Sequence, residues 1–320
     1  MTWYSPPGAY GSADPLFLLL IALAVEAYVG DRRLLGRWGQ APRRGLALLV
    51  HALERRLDRP GRSRRARALR GWIAMIFVLL IAVVAGLALT LFRRHYPFGW
   101  IVELLLLISL LAQRSTWVRG SAVLQALESG SLELARAALP RLTARTYATL
   151  DLARLDRRAV LLAALGGIAG RASGDLVAPT VWYVLLGLPG LFVQQALRIA
   201  ASASQASAAA DPADEDERAY GRAALVCDRV VGYLPDRLAA LVIAAAALFV
   251  PEGQPRLALT NLARARFWAQ AALGGALGLR LNRGEDVAPP LLRRALFLFA
   301  VACLINAGLV AGVALLRLAL

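Results

Sequence analysis

Two stretches of this chain carry no charge over lengths that few soluble folds can bury. Trp72 to Phe92 runs 21 residues without a charged side chain, and Ala295 to Leu316 is also uncharged. An apolar run of about 18 or more residues is long enough, as a helix, to cross the hydrocarbon core of a bilayer. In that core every backbone N–H and C=O needs an internal partner, so a spanning segment of this kind is helical. The expected fold class is therefore all-α, a polytopic membrane protein.

Other apolar segments fit the same frame with one irregularity each. Residues 15–30 contain Glu26, which must lie near an interface or be buried if the segment spans. Residues 98–113 contain Glu103, residues 176–200 are interrupted by Gly187-Leu188-Pro189-Gly190, and residues 238–250 are short. About four to six transmembrane helices with cytoplasmic amphipathic helices are expected, as one integral membrane domain over 1–320. Met1 to Asp14 has no basic region, and Glu26 stands where a signal peptide would need small residues, so the first segment reads as a retained span.

The formal net charge is +16, and all 37 basic residues are Arg. Between Asp31 and Arg70 there are 13 Arg and three acids. Clustered Arg can neutralise nucleic-acid phosphates. Here the cluster lies between two apolar segments and its core, Glu54 to Arg67, lacks interleaved aromatics, which favours a cytoplasmic loop on anionic headgroups and no nucleic-acid partner. That places the N-terminus outside, residues 31–71 in the cytoplasm, and 72–92 with 98–113 as a hairpin.

Residues 114–175 read as two or three cytoplasmic amphipathic helices. Ser131 would cap one of them, Glu133 would sit in its positive first turn, and Pro140 would follow its end. Gly170 to Asp175 reads as a loop leading into the interrupted apolar segment. Asp211-Pro212 reads as a helix start, and the five acids in Asp211 to Glu217 as a dipole-matched first turn more than as a cation site. Small residues at Ala269 to Gly278, and Gly308 with Gly312, suit close helix packing within the chain.

Recognisable catalytic motifs are absent. There is no phosphate-binding P-loop, no nucleophile elbow and no dinucleotide fingerprint. Cys227 and Cys303 are lone thiols, and His51 and His95 are isolated, so no His/Cys metal site is expected.

The order of short motifs resembles the adenosylcobinamide-phosphate synthase family of membrane proteins, the CobD/CbiB family of cobalamin biosynthesis. The resemblance runs from about Leu20 to Pro290. It rests on Gly30-Asp31, Ala52 to Leu57, Gln113-Arg114-Ser115, Ala126 to Arg136, and Arg145 with Leu150-Asp151. It continues through Asp175 to Pro179, Trp182-Tyr183, Gly187 to Gly190, Tyr233 to Leu238 and Gly275 to Leu281. It implies amide formation between adenosylcobyric acid and an aminopropanol phosphate, with ATP and Mg2+ as cofactors. It also implies a corrinoid substrate, a lipid bilayer as partner, a bacterial cytoplasmic (inner) membrane location, and a homo-oligomer or membrane partner. The carried-over site is catalytic Asp151, Asp175 and Asp228, with Asp31, Arg145 and Arg237 binding substrate or phosphate; no metal ligands are assigned.

The sequence also departs from the family pattern. A family Glu-x-x-x-Glu-Asn cluster falls on Gly166, Gly170 and Arg171, and an Asp-Gly reads as Gly174-Asp175. An Asn-Thr-x-Asp-x-Met segment falls on Arg198, Ile199, Ala201 and Ala203. A paired Asp-Asp is reduced to Asp228 with Arg229, the following Asn is Gly232, and an early His-Pro is Ala41-Pro42. Lost carboxylates and added Arg would weaken a cation site. Two expectations follow: a divergent synthase, or a non-catalytic paralogue serving as a membrane partner or signalling scaffold. A transporter is a third reading, opposed by the scarcity of polar residues in the clearest spans.

Overall fold

The computed structural model describes residues 14–29, 41–57, 64–143, 154–210, 215–262, 265, 267–279 and 289–319. Among these residues every regular element is helical. Asp31, Arg145, Asp151 and the proposed Asp211 cap lie outside them. The basic stretch after the first apolar segment is not simply a loop, because helices occupy 41–57 and begin again at 64.

Four helical stretches among the described residues are long and apolar enough to cross a membrane: Arg64–His95, Gly99–Glu128, Arg157–Ser207 and Pro289–Ala319. The chain is thus an all-α protein with membrane-spanning helices. A shorter apolar helix, Pro15–Tyr28, carries Glu26 in a buried position. The chain divides into two compact units.

The first unit contains α1 (Pro15–Val29), α2 (Ala41–Leu57), α3 (Arg64–His95), α4 (Gly99–Leu110) and α8 (Ala178–Ala210). It also takes in α9 (Glu215–Ala246) as far as Val231, and the end of the C-terminal helix from Val310. Helix α3 packs along α8, and α1 lies against α4. The buried strip of α3 is Gly71, Ala74, Met75, Val78, Ala82 and Gly86, a helical spacing of small and apolar residues. Ile76, Phe77, Leu80 and Val84 face outward on the same helix. A helix apolar on all sides has no polar face to offer water, and the bilayer accepts its outer side.

The break expected at the Gly-Leu-Pro-Gly motif falls at Gly187, with φ 66° and ψ −150°. That region is open essentially only to glycine. Gly86 of α3 accommodates the break, because a Cβ there would meet the backbone of Leu188 and Pro189. Here sequence, local conformation and helix packing depend on one another.

The second unit contains α5 (Gln113–Glu128), α6 (Leu132–Thr143) and α7 (Arg157–Arg171). The remainder of α9, α10 (Pro255–Leu262), α11 (Trp268–Ala276) and α12 (Pro289–Ala319) as far as Leu309 complete it. Gly130, with φ 79°, ends α5, and the Ser131 amide donates to the Ala126 carbonyl at 3.1 Å. Such a left-handed glycine turns the chain while satisfying end carbonyls. Ser131 then caps α6 as expected, its hydroxyl accepting from the Leu134 amide at 3.3 Å. Pro140 does not end α6, which continues to Thr143. The buried row Ala135, Leu139, Leu142 and Thr143 holds the last turn in place. Gly275 of α11 closes on the backbone of Leu257 and Ala258 in α10, so the small residues there serve close packing. Gly308 and Gly312 have no described atom within 4 Å of an added Cβ, so that pair makes no such packing among the described residues.

The segment Gly170–Asp175 is helical and not a loop. Helix α7 runs to Arg171, a π-helical turn covers Ala172–Val177, and α8 follows directly. The apolar stretch therefore reaches back to Arg157, inside the region expected to be too polar to span. The preference of Gly and Ser for turns is overridden by side-chain bonds from Arg171, described next.

Candidate functional site

Arg171 of the second unit is anchored through three nitrogens of its guanidinium. Its Nε donates to the Leu142 carbonyl at 2.7 Å, and its Nη2 to the Arg141 carbonyl at 2.8 Å. Its Nη1 donates to Asp175 Oδ2 at 2.9 Å. Both side chains are largely buried, so the ion pair is weakly screened by solvent. The extra residue in a π turn re-aims side chains and is common at functional sites. It holds Asp175, a predicted site residue, against an Arg that stands where the family pattern has an Asn.

Asp228 lies on α9 in the first unit, beside Cys227. Burial, and secondarily the Asp228 carboxylate, raise the Cys227 thiol above its ordinary value. The thiolate is the reactive form, so Cys227 should alkylate slowly near neutral pH, with a rate that rises as pH climbs. In a Cys303→Ser background, the pH midpoint of maleimide labelling should lie above that of a free thiol. Asp228→Asn should lower the midpoint without restoring the ordinary value, since burial is the larger cause. A midpoint unmoved by Asp228→Asn would contradict this account.

Arg237 lies in the second unit. Its guanidinium sits 3.2 Å from the Tyr233 ring centroid and 4.4 Å from that of Trp268. Its neighbour Asp236 accepts the Trp268 backbone N–H at 2.9 Å. That N–H opens α11 and has no partner within its own helix, so a carboxylate there suits both the bond and the helix dipole. Asp236 was legible as an acid in Tyr233 to Leu238 but gave no local signal of its distant partner. Within the second unit, Asp175 and Arg237 are held by different partners and form no shared pair.

A further buried polar group, in the first unit, was only half legible. Glu103 accepts from Tyr183 Oη at 2.7 Å and from Arg93 Nη1 at 2.9 Å. The carboxylate in an apolar run was the available signal, since an intramembrane charge needs a partner.

Among the described residues, no three His, Cys, Asp or Glu side chains gather as a metal site. Asp175 is engaged by Arg171, and Asp228 adjoins a thiol. This donor set does not match the several oxygen ligands of a hard divalent cation.

Comparison with known proteins agrees with the motif order. The family model described as CobD/Cbib protein matches residues 19–286. A "Cobalamin biosynthesis protein CobD" from Brucella suis biovar 1 (strain 1330) is 31% identical over 277 residues, covering 83% of this chain and 81% of its own. A protein of the same name from Sinorhizobium sp is 28% identical over 330 residues, covering 94% and 98%. One from Rhodobacter capsulatus is 30% identical over 274 residues, covering 83% and 81%. No solved structure matches the chain. With motifs, membrane helices and a family match over most of its length in agreement, this chain belongs to the CobD/CbiB family of cobalamin biosynthesis proteins.

Proposed function

We propose that the chain acts in the cytoplasmic membrane at an amide-forming step of cobalamin biosynthesis. In this reading an aminopropanol phosphate is joined to a carboxylate of adenosylcobyric acid with ATP. A carboxylate is a poor acyl donor, so the reaction requires its activation, and Arg side chains suit the phosphates involved. The observation that carries the proposal is the family match over residues 19–286. Asp228 is assigned to the chemistry, together with Asp31, Arg145 and Asp151, which lie outside the described residues.

A second reading, a non-catalytic family member serving as a membrane partner, is favoured by one feature. The Asp175 carboxylate is neutralised by Arg171 at 2.9 Å. No step through Mg2+ is assigned, because the described carboxylates do not converge.

Complementation separates the two. The chain is expressed in a strain lacking its own adenosylcobinamide-phosphate synthase, supplied with cobyric acid, with membrane expression verified. Cobalamin-dependent growth that is lost on Asp228→Ala is the expected result for a synthase. Absence of growth from well-expressed wild-type chain rejects the amide-forming reading for this substrate pair and favours the non-catalytic one.

A further inference from the structure

Helix α9 holds Asp228, Arg229, Asp236 and Arg237 and is not among the stretches apolar enough to cross a membrane. Yet its part within the second unit turns a hydrophobic face outward. Leu234, Arg237 and Leu241 follow at helical spacing, with Tyr233 beside them. Tyr233 is 60% exposed, Leu241 51% and Leu234 44%. Phe267, 55% exposed, joins this patch through Trp268, the second ring near the Arg237 guanidinium.

The charge in the patch narrows its partner. Among the described residues no carboxylate pairs with Arg237; its neighbours are the two ring faces and the Tyr233 carbonyl, 3.5 Å from Nη1. Asp236, the nearest acid in sequence, is turned to the Trp268 amide. Ring faces attract the cation but do not cancel it, which leaves positive charge beside exposed leucines. Tyr and Trp with an Arg, over apolar side chains, match the boundary between headgroups and acyl chains, where amphipathic side chains keep one end in each phase. The chain already has helices suited to the bilayer, so that boundary is close to the folded protein.

We propose that Tyr233, Leu234, Arg237 and Leu241 of α9, with Phe267 and Trp268 at the start of α11, form a docking surface for the anionic headgroup layer of the membrane. The leucines and Phe267 enter the upper acyl region, the two rings lie at the boundary, and Arg237 meets lipid phosphate. Arg237 is thereby assigned to lipid and not to the phosphate of a substrate. The surface adds an in-plane anchor to the spanning helices.

The test uses the full chain in nanodiscs, with Cys227→Ser and Cys303→Ser as background. A nitroxide is attached in turn at Leu234→Cys, Leu241→Cys and Phe267→Cys. Collisions with oxygen, which partitions into lipid, are compared with those of a water-soluble nickel chelate. Phosphatidylcholine discs are compared with discs that also contain phosphatidylglycerol. Oxygen access should exceed nickel access at all three sites. Phosphatidylglycerol should reduce nickel access by about twofold or more, the scale of one Arg drawn to an anionic surface. Arg237→Ala should abolish that lipid dependence, whereas Arg237→Lys, which keeps the charge, should retain it. Dominant nickel access at the three sites in both lipids would overturn the proposal. So would low access to both agents, which signifies a protein cover; cross-linking of labelled copies would then identify a second chain. Label accessibility needs no turnover, so it can fail or succeed whatever the growth test gives.

Discussion

Replacing Glu103 by Leu should destabilise the protein by about 3 to 5 kcal/mol, the usual cost of removing one partner from a buried ion pair. The Arg93 and Glu103 side chains are only 8% and 5% exposed, and their atoms meet at 2.9 Å. Glu103 also accepts from Tyr183, a residue with no exposed surface, at 2.7 Å. Removing the carboxylate leaves a guanidinium and a phenol hydroxyl in surroundings that solvate them poorly. Tyr183→Phe removes one bond to a charged acceptor and should cost about 1.5 to 3 kcal/mol. The triple change Arg93→Met, Glu103→Leu, Tyr183→Phe removes all three side-chain partners and should recover most of the loss, since apolar replacement of a whole buried pair is often neutral. Unfolding by sodium dodecyl sulfate in mixed micelles measures all three. If Glu103→Leu alone unfolds at the wild-type midpoint, the cluster contributes nothing to stability.

Gly86→Ala should be the other damaging change, at about 1 to 3 kcal/mol for overpacking a closed contact. The added Cβ would meet the Pro189 backbone, which cannot move as the end of a side chain can. Gly71→Ala should act in the same way against the Tyr220 backbone. Alanine elsewhere in a helix usually helps, by roughly 0.5 to 1 kcal/mol over glycine. Gly45→Ala is therefore the control: nothing described lies within 4 Å of its added Cβ, and it should be neutral or stabilising. The same unfolding titration reads both signs. Equal effects at Gly45 and Gly86 would mean that α3 does not depend on close approach to the break in α8.

These two sites differ in how far local sequence foretells them. Gly187-Leu188-Pro189-Gly190 announces a break, because glycine opens a backbone region closed to other residues and proline removes a donor. Nothing near Gly86 in the sequence says that the break will lie against it. Gly170 to Asp175 departs from the expected loop for a related reason. Its turn-forming composition is real, but Arg171 bonds to Leu142 and Arg141, 29 and 30 residues earlier, and fixes a π turn instead.

The sequence by itself determined the membrane class, the all-α fold, the break at Gly187, the Ser131 cap and the family. Each depends on the length, period or order of residues near one another, and the hydrocarbon layer enforces the first two strictly. Only the tertiary structure decided which polar groups are engaged. Glu103 finds Tyr183 across 80 residues, and Asp236 finds the Trp268 amide across 32. Asp175 has its partner only four residues away, yet the π turn and distant carbonyls decide that Arg171 points there. Hydropathy records which solvent a segment prefers. The partner of a buried charge depends on how helices far apart in sequence come to rest against one another.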